Sequence, residues 1–287
     1  MKLLVTGAAG RLGSHVVRLA RAAGQSVVAL DRAELDLAAP ANVFASVLAL
    51  APFDAVINCA AWTAVDACEA DPELANAING LAVGELARAC ASVGARLIQV
   101  STDYVFPGKA SGAYAEDDAV QAQSVYGSSK LLGEQLALAE LPAATQVVRT
   151  AWLYGQPGHG FVEVMLGKLR AGDSVQVVND QFGQPTWAED LAAQLVRMLD
   201  APLVPGVFHG TNSGEASWFD MVRLMARVLG VDEALVQPVS AAAFPRPALR
   251  PSRTVLAHGR WAEVGLPALR AWDEALMEYV LTGGTRV

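Results

Sequence analysis

A glycine-rich turn near the start of the chain is the feature that most constrains its fold. A short β-rich run, Lys2–Thr6, leads directly into Gly7-Ala8-Ala9-Gly10-Arg11-Leu12-Gly13, and a helix-compatible stretch, Ser14–Ala23, follows. In a strand, turn and helix of this kind, the glycines permit a tight turn, close approach of phosphates and close packing of helix on strand. The N-terminus of the helix then attracts a pyrophosphate. The segment predicts a dinucleotide-binding loop that includes Gly7, Gly10 and Gly13.

An acidic residue follows the next predicted strand. Ser26–Leu30 ends at Asp31-Arg32, roughly 20 residues past the glycine loop, where a carboxylate accepts hydrogen bonds from the adenosine ribose. Asp31 favours NADH, whereas the guanidinium of Arg32 suits the 2′-phosphate of NADPH. The pair leaves the choice between NADPH and NADH open, and a solvated strand end is the alternative.

The rest of the first half alternates between strands and helices. Further strands are predicted at Ala55–Cys59, Leu97–Ser101 and Gln146–Arg149, and helices at Pro72–Val93 and Ser124–Ala139. This alternation predicts an α/β fold with a doubly wound parallel sheet, which binds ligands at the carboxyl ends of its strands. The carboxyl ends of four predicted strands are marked by Gly7, Asp31, Ala60 and Thr102. These residues should therefore lie at one edge of the sheet. The small residues of Ala60-Ala61-Trp62-Thr63 suit a cofactor lying across that edge.

The pattern changes after Arg149. Short segments separated by glycine and proline replace the regular alternation, which predicts a dinucleotide-binding Rossmann domain over residues 1–150 and a smaller, mainly substrate-binding α+β domain over residues 151–287. A helix predicted at Glu189–Leu199 indicates that a segment near residues 185–200 returns to the first domain.

Tyr126 and Lys130 are four residues apart in a predicted helix, so their side chains share one helical face. An ammonium beside a phenol favours the phenolate and lets the tyrosine exchange a proton near neutral pH. The alternative is an ordinary exposed pair. Lysine is scarce, since the chain has four lysines among 21 Lys and Arg residues, so a lysine at this spacing is not the default cation.

Composition narrows the remaining possibilities. The formal net charge of −8 argues against nucleic acid as a partner, because phosphate backbones require a basic face. No apolar run reaches the roughly 18 residues that a membrane helix needs, which argues against a membrane partner. The chain enters its glycine loop without a signal-peptide pattern, so we expect a cytoplasmic protein. Cys59, Cys68 and Cys90 lack metal-ligand spacing and predict reduced thiols without a metal site.

One stretch near the end is strongly basic. Between Arg246 and Arg270 the chain has five arginines and a single acid, Glu263. Planar guanidinium groups hold phosphates through paired hydrogen bonds, so this stretch predicts a site for a diphosphate. The alternative is a basic face that offsets the acidic remainder.

Taken together, these motifs resemble the extended short-chain dehydrogenase/reductases and, within them, the dTDP-4-dehydrorhamnose reductase family. The glycine loop and the Tyr126–Lys130 pair are common to the superfamily. The more specific stretches extend over most of the chain: Leu30–Asp36, Ile57–Asp66, Ser101–Phe106, Arg149–Gly155, Gln181–Thr186 and Ser213–Trp218.

The resemblance implies a small-molecule nucleotide-sugar substrate and a catalytic trio of Thr102, Tyr126 and Lys130. NADPH or NADH would deliver hydride to the C4 ketone of dTDP-4-dehydrorhamnose, giving dTDP-L-rhamnose, while Tyr126 donates the proton, Thr102 binds the same oxygen and Lys130 holds the nicotinamide ribose. The implied cofactor contacts are Gly7, Gly10, Arg11, Leu12, Gly13, Asp31, Arg32, Asp36, Leu37, Ala60, Ala61, Thr63, Tyr126 and Lys130. The implied substrate contacts are Thr102, Asp103, Tyr104, Tyr126 and Trp152, to which the basic stretch adds Arg250 and Arg253.

Some positions depart from the family pattern. Trp62 replaces a smaller aromatic, and Thr254 stands where serine is commoner. His15 occupies the place of a glutamate that helps some members bind Mg²⁺ between subunits. We therefore expect no metal and either a monomer or a homodimer. The alternatives are another nucleotide-sugar reductase or epimerase of this fold, and a non-catalytic regulatory subunit, although the catalytic trio is intact.

Overall fold

The computed structural model describes residues 1–109 and 111–283. Its strands are β1 (Lys2–Thr6), β2 (Ser26–Leu30), β3 (Ala55–Asn58), β4 (Arg96–Thr102), β5 (Thr145–Thr150), β6 (Leu153–Tyr154), β7 (Val175–Val178), β8 (Phe182–Gly183), β9 (Thr186–Trp187), β10 (Gly206–His209), β11 (Asn212–Ser213), β12 (Ala216–Ser217), β13 (Val236–Val239) and β14 (Leu269–Ala271). Its helices are α1 (Arg11–Ala22), α2 (Pro40–Leu48), α3 (Val65–Ala70), α4 (Pro72–Asn76), α5 (Ala82–Val93), α6 (Val125–Glu140), α7 (Phe161–Ala171), α8 (Ala188–Asp200), α9 (Trp218–Leu229) and α10 (Trp272–Thr282).

Six parallel strands form the central sheet in the order β10-β5-β4-β3-β1-β2. The order reverses around β1, where Leu3 pairs with Val27 on one side and Ala55 on the other. The carboxyl ends of β1 and β3 therefore open a crevice at this reversal, where doubly wound sheets bind ligands. The predicted fold class is confirmed.

Alternating side chains of β1 face two helical layers. Leu3 and Val5 pack with residues of α1 and α8, whereas Leu4 packs with residues of α2 and α5. Because both faces of the strand are covered, β1 is apolar on both sides and largely withdrawn from solvent, as parallel strands usually are.

The helix predicted over Pro72–Val93 is interrupted. A π-helical turn, Ala77–Leu81, separates α4 from α5. The Asn79 side chain leaves this turn and forms hydrogen bonds with both the backbone N–H and the carbonyl oxygen of Trp62, at 2.8 and 3.0 Å. On α6, a Cβ at Gly133 would lie 2.2 Å from the Asn79 carbonyl oxygen, so a glycine there allows α6 to approach the turn. π turns are frequent near functional sites, and this one positions the Trp62 corner.

The second half of the chain builds its own core and also returns to the sheet. Helices α7, α9 and α10 pack around Trp187, Met221 and Leu276, with the parallel pair β7–β13 on one side. The segment near residues 185–200 returns to the first domain as predicted, since α8 packs on α1. Strand β10 was not predicted, and it extends the sheet beside β5. The predicted division near residue 150 remains a proposal, supported by the separate core.

Candidate active site

The predicted catalytic pair projects from one face of α6 toward the end of β4. Ser124 caps the helix, its hydroxyl accepting the Gly127 N–H at 3.1 Å. The Thr102 side chain interacts with the Tyr126 phenol, and Lys130 Nζ donates to the Val100 carbonyl oxygen at 2.7 Å. The structure thus brings the three predicted catalytic side chains together at the carboxyl edge of the sheet.

Burial sets the protonation of Tyr126. It raises the pKa of the phenol well above its usual value, the hydrogen bond with Thr102 acts in the opposite direction, and the charge of Asp103 raises the pKa further. The predicted lowering by Lys130 is not what the structure shows, because desolvation dominates. The phenol is therefore protonated across neutral pH, which is the form that donates a proton to a developing alkoxide.

Lys130 is almost fully buried. Burial lowers the pKa of its ammonium to about 8, and the nearby carboxylate of Glu134 opposes that shift. Below about pH 8 the group carries a positive charge beside the sheet edge, which suits it to bind ribose hydroxyls.

Glu134 extends the face of α6 by one more turn. Its carboxylate accepts hydrogen bonds from the Ser101 hydroxyl and from the Arg149 guanidinium, whose Nη2 lies at 2.7 Å. The side chains of Glu134 and Arg149 are only 2% and 4% exposed, so the ion pair is isolated from water. One face of α6 thus carries Tyr126, Lys130 and Glu134 at intervals of four residues. Each of these side chains interacts with a residue of β4.

Asp103 is a second buried acid at this edge. Its carboxylate accepts hydrogen bonds from the hydroxyls of Thr102, at 3.1 Å, and of Thr254. Burial raises the pKa of Asp103 to about 6, and these hydroxyls moderate the rise. Thr254, noted above as a departure from the family pattern, still donates the bond that a serine would. The contact joins the basic stretch to the catalytic edge.

A cavity of about 320 Å³ opens over the glycine loop. Gly7 has a left-handed φ of 62°, and a Cβ there would lie 2.8 Å from the Ala60 backbone. At Gly13 an added Cβ would lie 2.2 Å from the Gly7 carbonyl oxygen, so glycine is required for α1 to pack on the turn. No side chain caps α1, which leaves its first N–H groups available to an anion. These features fit a dinucleotide.

Most of the predicted cofactor residues line this cavity. The lining comprises Gly7, Ala9, Gly10, Asp31, Arg32, Leu35, Asp36, Leu37, Ala38, Cys59, Ala60, Ala61, Trp62 and Ile78. Cys59 and Trp62 adjoin the predicted Ala60-Ala61 corner and could have been inferred from it. Ile78 lies in the π turn, which the sequence pattern does not reveal.

Six predicted cofactor residues do not line it: Tyr126 and Lys130, described above, and four others. The Arg11 guanidinium donates to the Gly155 carbonyl oxygen at 2.7 Å and so joins the glycine loop to the segment after β6. Leu12 is buried in the core beside α8. Gly13 serves the packing just described, and Thr63 is exposed outside the cavity. The contacts of Arg11, Leu12 and Gly13 therefore hold the glycine loop in place, although these residues do not line the cavity.

A larger cavity of about 980 Å³ lies between the catalytic edge and the second core. Its lining includes Tyr104, Trp152 and Arg250, which were predicted as substrate contacts, and also Thr254. The Tyr104 ring meets the Tyr126 ring edge to face at 5.6 Å between centroids, so this cavity begins next to the Tyr126 phenol. Further lining residues that were not predicted include Phe161, Met165, Lys168, Trp218, Phe244 and Arg246.

Trp152 adopts an unusual backbone conformation at this cavity. Its φ of 45° is left-handed, which costs about 1–3 kcal/mol for a non-glycine residue. The indole stacks on Trp218 with ring centroids 3.7 Å apart, and Gly183 leaves room for it, since a Cβ there would lie 2.6 Å from the ring. Packing on both sides therefore fixes the indole as an aromatic wall of the cavity.

The two predicted diphosphate arginines already have carboxylate partners. Arg250 pairs with Asp66 through both terminal nitrogens, at 2.6 and 2.8 Å. Arg253 donates to Glu215 at 2.7 Å and to the Gly112 carbonyl oxygen, and it lies outside the larger cavity. The prediction missed these pairs because each carboxylate is distant in sequence. Their charges are satisfied within the protein.

His15 also has carboxylate and carbonyl partners. Its Nδ1 contacts the Glu189 carboxylate, which also pairs with Arg18, and its Nε2 lies 2.6 Å from the Gln156 carbonyl oxygen. Across residues 1–109 and 111–283, no group of three or more His, Cys, Asp or Glu side chains is arranged to hold a metal ion.

The sequence matches the model of the RmlD substrate binding domain over residues 1–283. The chain belongs to this family. A dTDP-4-dehydrorhamnose reductase from Streptomyces griseus is 45% identical over 279 residues, which cover 96% of this chain and 91% of that protein. A dTDP-4-keto-6-deoxy-D-glucose reductase from Streptomyces niveus is 43% identical over 275 residues, covering 96% and 95%.

A solved structure extends the family comparison to the cofactor. The dTDP-4-dehydrorhamnose reductase from Bacillus anthracis, in complex with NADP, is 31% identical, with a TM-score of 0.91 and coverage of 98% of this chain and 99% of that chain. The predicted resemblance to these reductases is therefore confirmed. Among the described residues, no helix combines the length and apolarity needed to cross a membrane.

Proposed function

We propose that the protein reduces the C4 ketone of dTDP-4-dehydrorhamnose to the alcohol of dTDP-L-rhamnose with NADPH or NADH. The observation that carries the proposal is the position of Tyr126 between two cavity walls. Its ring contacts Tyr104, which lines the cavity large enough for a nucleotide-sugar, and it packs in one cluster with Trp62, which lines the cavity shaped for a dinucleotide. Relatives with the same function in their names support the choice of substrate. A cytoplasmic location and a monomeric or homodimeric state remain predictions.

The nicotinamide supplies hydride when the cofactor is bound. Tyr126, kept protonated by burial, donates its proton to the oxygen of the former ketone. The Thr102 hydroxyl, which donates to Asp103 in this structure, turns to the same oxygen when the substrate is bound. Lys130 presents its ammonium to the ribose. Trp152 orients the sugar against this edge through its fixed indole face.

Turnover with defined keto sugars tests the proposal. We expect oxidation of NADPH in the presence of dTDP-4-dehydrorhamnose, with formation of dTDP-L-rhamnose, at rates far above those with the same sugar lacking its nucleotide. Cofactor binding without oxidation would instead indicate a non-catalytic regulatory subunit. Permanently bound cofactor and no net oxidation would indicate an epimerase.

Reduction of dTDP-4-keto-6-deoxy-D-glucose is the second candidate function. A relative named for that activity is nearly as similar as the rhamnose reductases, at 43% against 45% identity. The two ketones differ in the configuration of the ring carbons beside the reacting group. Comparing kcat/KM for the two sugars decides between them.

Cofactor preference provides a prediction at Asp31. The carboxylate lines the dinucleotide cavity and accepts the Ala33 N–H at 2.7 Å. Hydrogen bonds with Glu34 and Ala33 lower the pKa of Asp31, so the carboxylate is ionised at neutral pH. Because this charge repels a 2′-phosphate, Asp31→Ala should raise the ratio of kcat/KM for NADPH over NADH by about 5-fold. We expect wild type to use both cofactors.

Arg32→Ala is the matched control for Asp31→Ala. Arg32 lines the same cavity and has a largely exposed side chain, and its loss should shift the ratio toward NADH. An unchanged ratio in both variants would show that the end of β2 does not contact the adenosine ribose.

A further inference from the structure

The larger cavity runs along helix α7. Phe161, Met165 and Lys168 line it from one helical face, because they are spaced by four and three residues. Phe161 packs against Trp218, which stacks on Trp152 at the catalytic end. Lys168 lies seven residues farther along, about 10 Å at 1.5 Å per residue. The cavity therefore extends from the sugar wall along α7 toward its C-terminus.

The far end of this cavity presents two glutamines. Gln176 on β7 and Gln237 on β13 are directly paired in the parallel register. Both side chains are exposed and line the cavity, while Val175, Val177 and Val236 beside them are buried in the second core. Neighbouring strands lie about 4.8 Å apart, so the two amides stand side by side on one face.

These two amides have their hydrogen-bonding capacity free for a ligand. Neither Gln176 nor Gln237 forms a side-chain hydrogen bond with another residue in the described part of the chain. Each amide offers a carbonyl acceptor and an NH₂ donor. Phe244 is 41% exposed and borders the same cavity, so it adds an aromatic face there. Paired amides beside an exposed ring suit a flat heterocycle with alternating donors and acceptors.

We propose that Gln176 and Gln237 bind the pyrimidine base of the nucleotide-sugar. The inference rests on the proposed function and identifies which residues recognise the nucleotide. The imide edge of thymine has two carbonyl acceptors on either side of one N–H donor. Two adjacent amides donate to the carbonyls and accept from the N–H, and the sugar at the other end then reaches Trp152.

Lys168 completes this subsite as the diphosphate cation. A side chain on a helix points back toward the N-terminus, so Lys168 reaches toward the middle of the cavity. The Lys168 ammonium forms no ion pair or hydrogen bond with any other described residue, whereas the Arg250 charge is already matched by Asp66. A diphosphate between the base and the sugar lies within its reach.

Binding of three probes to the full-length protein tests the subsite. Calorimetry with dTDP, thymidine and inorganic pyrophosphate separates recognition of the base from recognition of the phosphates. Gln176→Ala and Gln237→Ala should each weaken dTDP and thymidine about 3- to 10-fold, by loss of hydrogen bonds, and leave pyrophosphate unchanged. Lys168→Met should weaken dTDP and pyrophosphate about 10-fold, with thymidine unchanged.

Two controls match these variants. Gln121 is an exposed glutamine outside the cavity, and Arg170 is an exposed cation on α7 that does not line it. Gln121→Ala and Arg170→Met should bind all three probes as wild type does, and NADPH affinity should be unchanged in every variant.

The possible outcomes separate the inference from the proposed function. If wild type binds dTDP and reduces its keto sugar but both glutamine variants bind thymidine normally, the subsite is wrong and the function stands. If wild type binds no dTDP, the proposed function and the subsite both fail.

Discussion

Tyr126→Phe should lower kcat by about 10²–10⁴-fold while NADPH affinity changes only a few-fold. In the proposed mechanism the buried phenol is the proton donor, and its removal would leave the developing alkoxide without an acid. Since phenylalanine preserves the ring, the edge-to-face contact with Tyr104 should remain. Single-turnover measurement of NADPH oxidation with the preferred keto sugar provides the rate, and fluorescence titration provides the cofactor affinity.

Tyr279→Phe is the matched control for the loss of a buried hydroxyl. Tyr279 is 2% exposed and donates to Glu163 at 2.7 Å, in the second core. This variant should turn over like wild type even if its thermal stability falls. Retention of more than half of the activity in Tyr126→Phe would remove Tyr126 from the catalytic role.

Arg149→Met should have the largest effect on stability among the substitutions considered. It leaves the Glu134 carboxylate buried, with Ser101 as a remaining hydrogen-bond donor and no paired cation. Breaking a buried ion pair by removal of one partner costs about 3–5 kcal/mol. The Arg149 guanidinium also lies over the Phe106 ring at 4.9 Å, a contact that methionine replaces only in part. Urea unfolding monitored by circular dichroism measures the loss.

A double variant separates charge from packing at this pair. In Glu134→Gln/Arg149→Met neither of the two positions carries a charge, so its free energy of unfolding should be higher than that of Arg149→Met alone. Arg227→Met, at an exposed pair with Glu233, should change stability little. If the double variant is no more stable than the single one, the cost arises from lost packing around Phe106.

The fold and the dinucleotide site were predictable because their signals are local. Gly7 adopts a left-handed φ of 62°, and a Cβ at Gly13 would lie 2.2 Å from the Gly7 carbonyl oxygen, so this short segment itself accounts for both glycines. Strands β1 and β2 have the predicted bounds for the same reason. The position of Tyr126 relative to Lys130 follows from helical spacing alone.

Other features depend on partners far away in the sequence. The Arg250–Asp66 pair joins residues 184 positions apart, so the basic stretch looked like a free anion site. Strand β10 has only four residues, and its place beside β5 depends on the whole second half folding back. The phenol pKa was misjudged because helical spacing indicates a neighbouring charge but gives no measure of desolvation.

The late position of β10 in the chain has a consequence for biosynthesis. During translation β1 to β5 leave the ribosome first, and the outer edge of β5 then has unpaired backbone groups until Gly206–His209 emerges. An uncovered strand edge is a template for association with other chains. The nascent protein therefore completes its nucleotide-binding half only after α7 and α8 of its other half have been synthesised. A ribosome that stalls between β5 and β10 exposes an aggregation-prone intermediate.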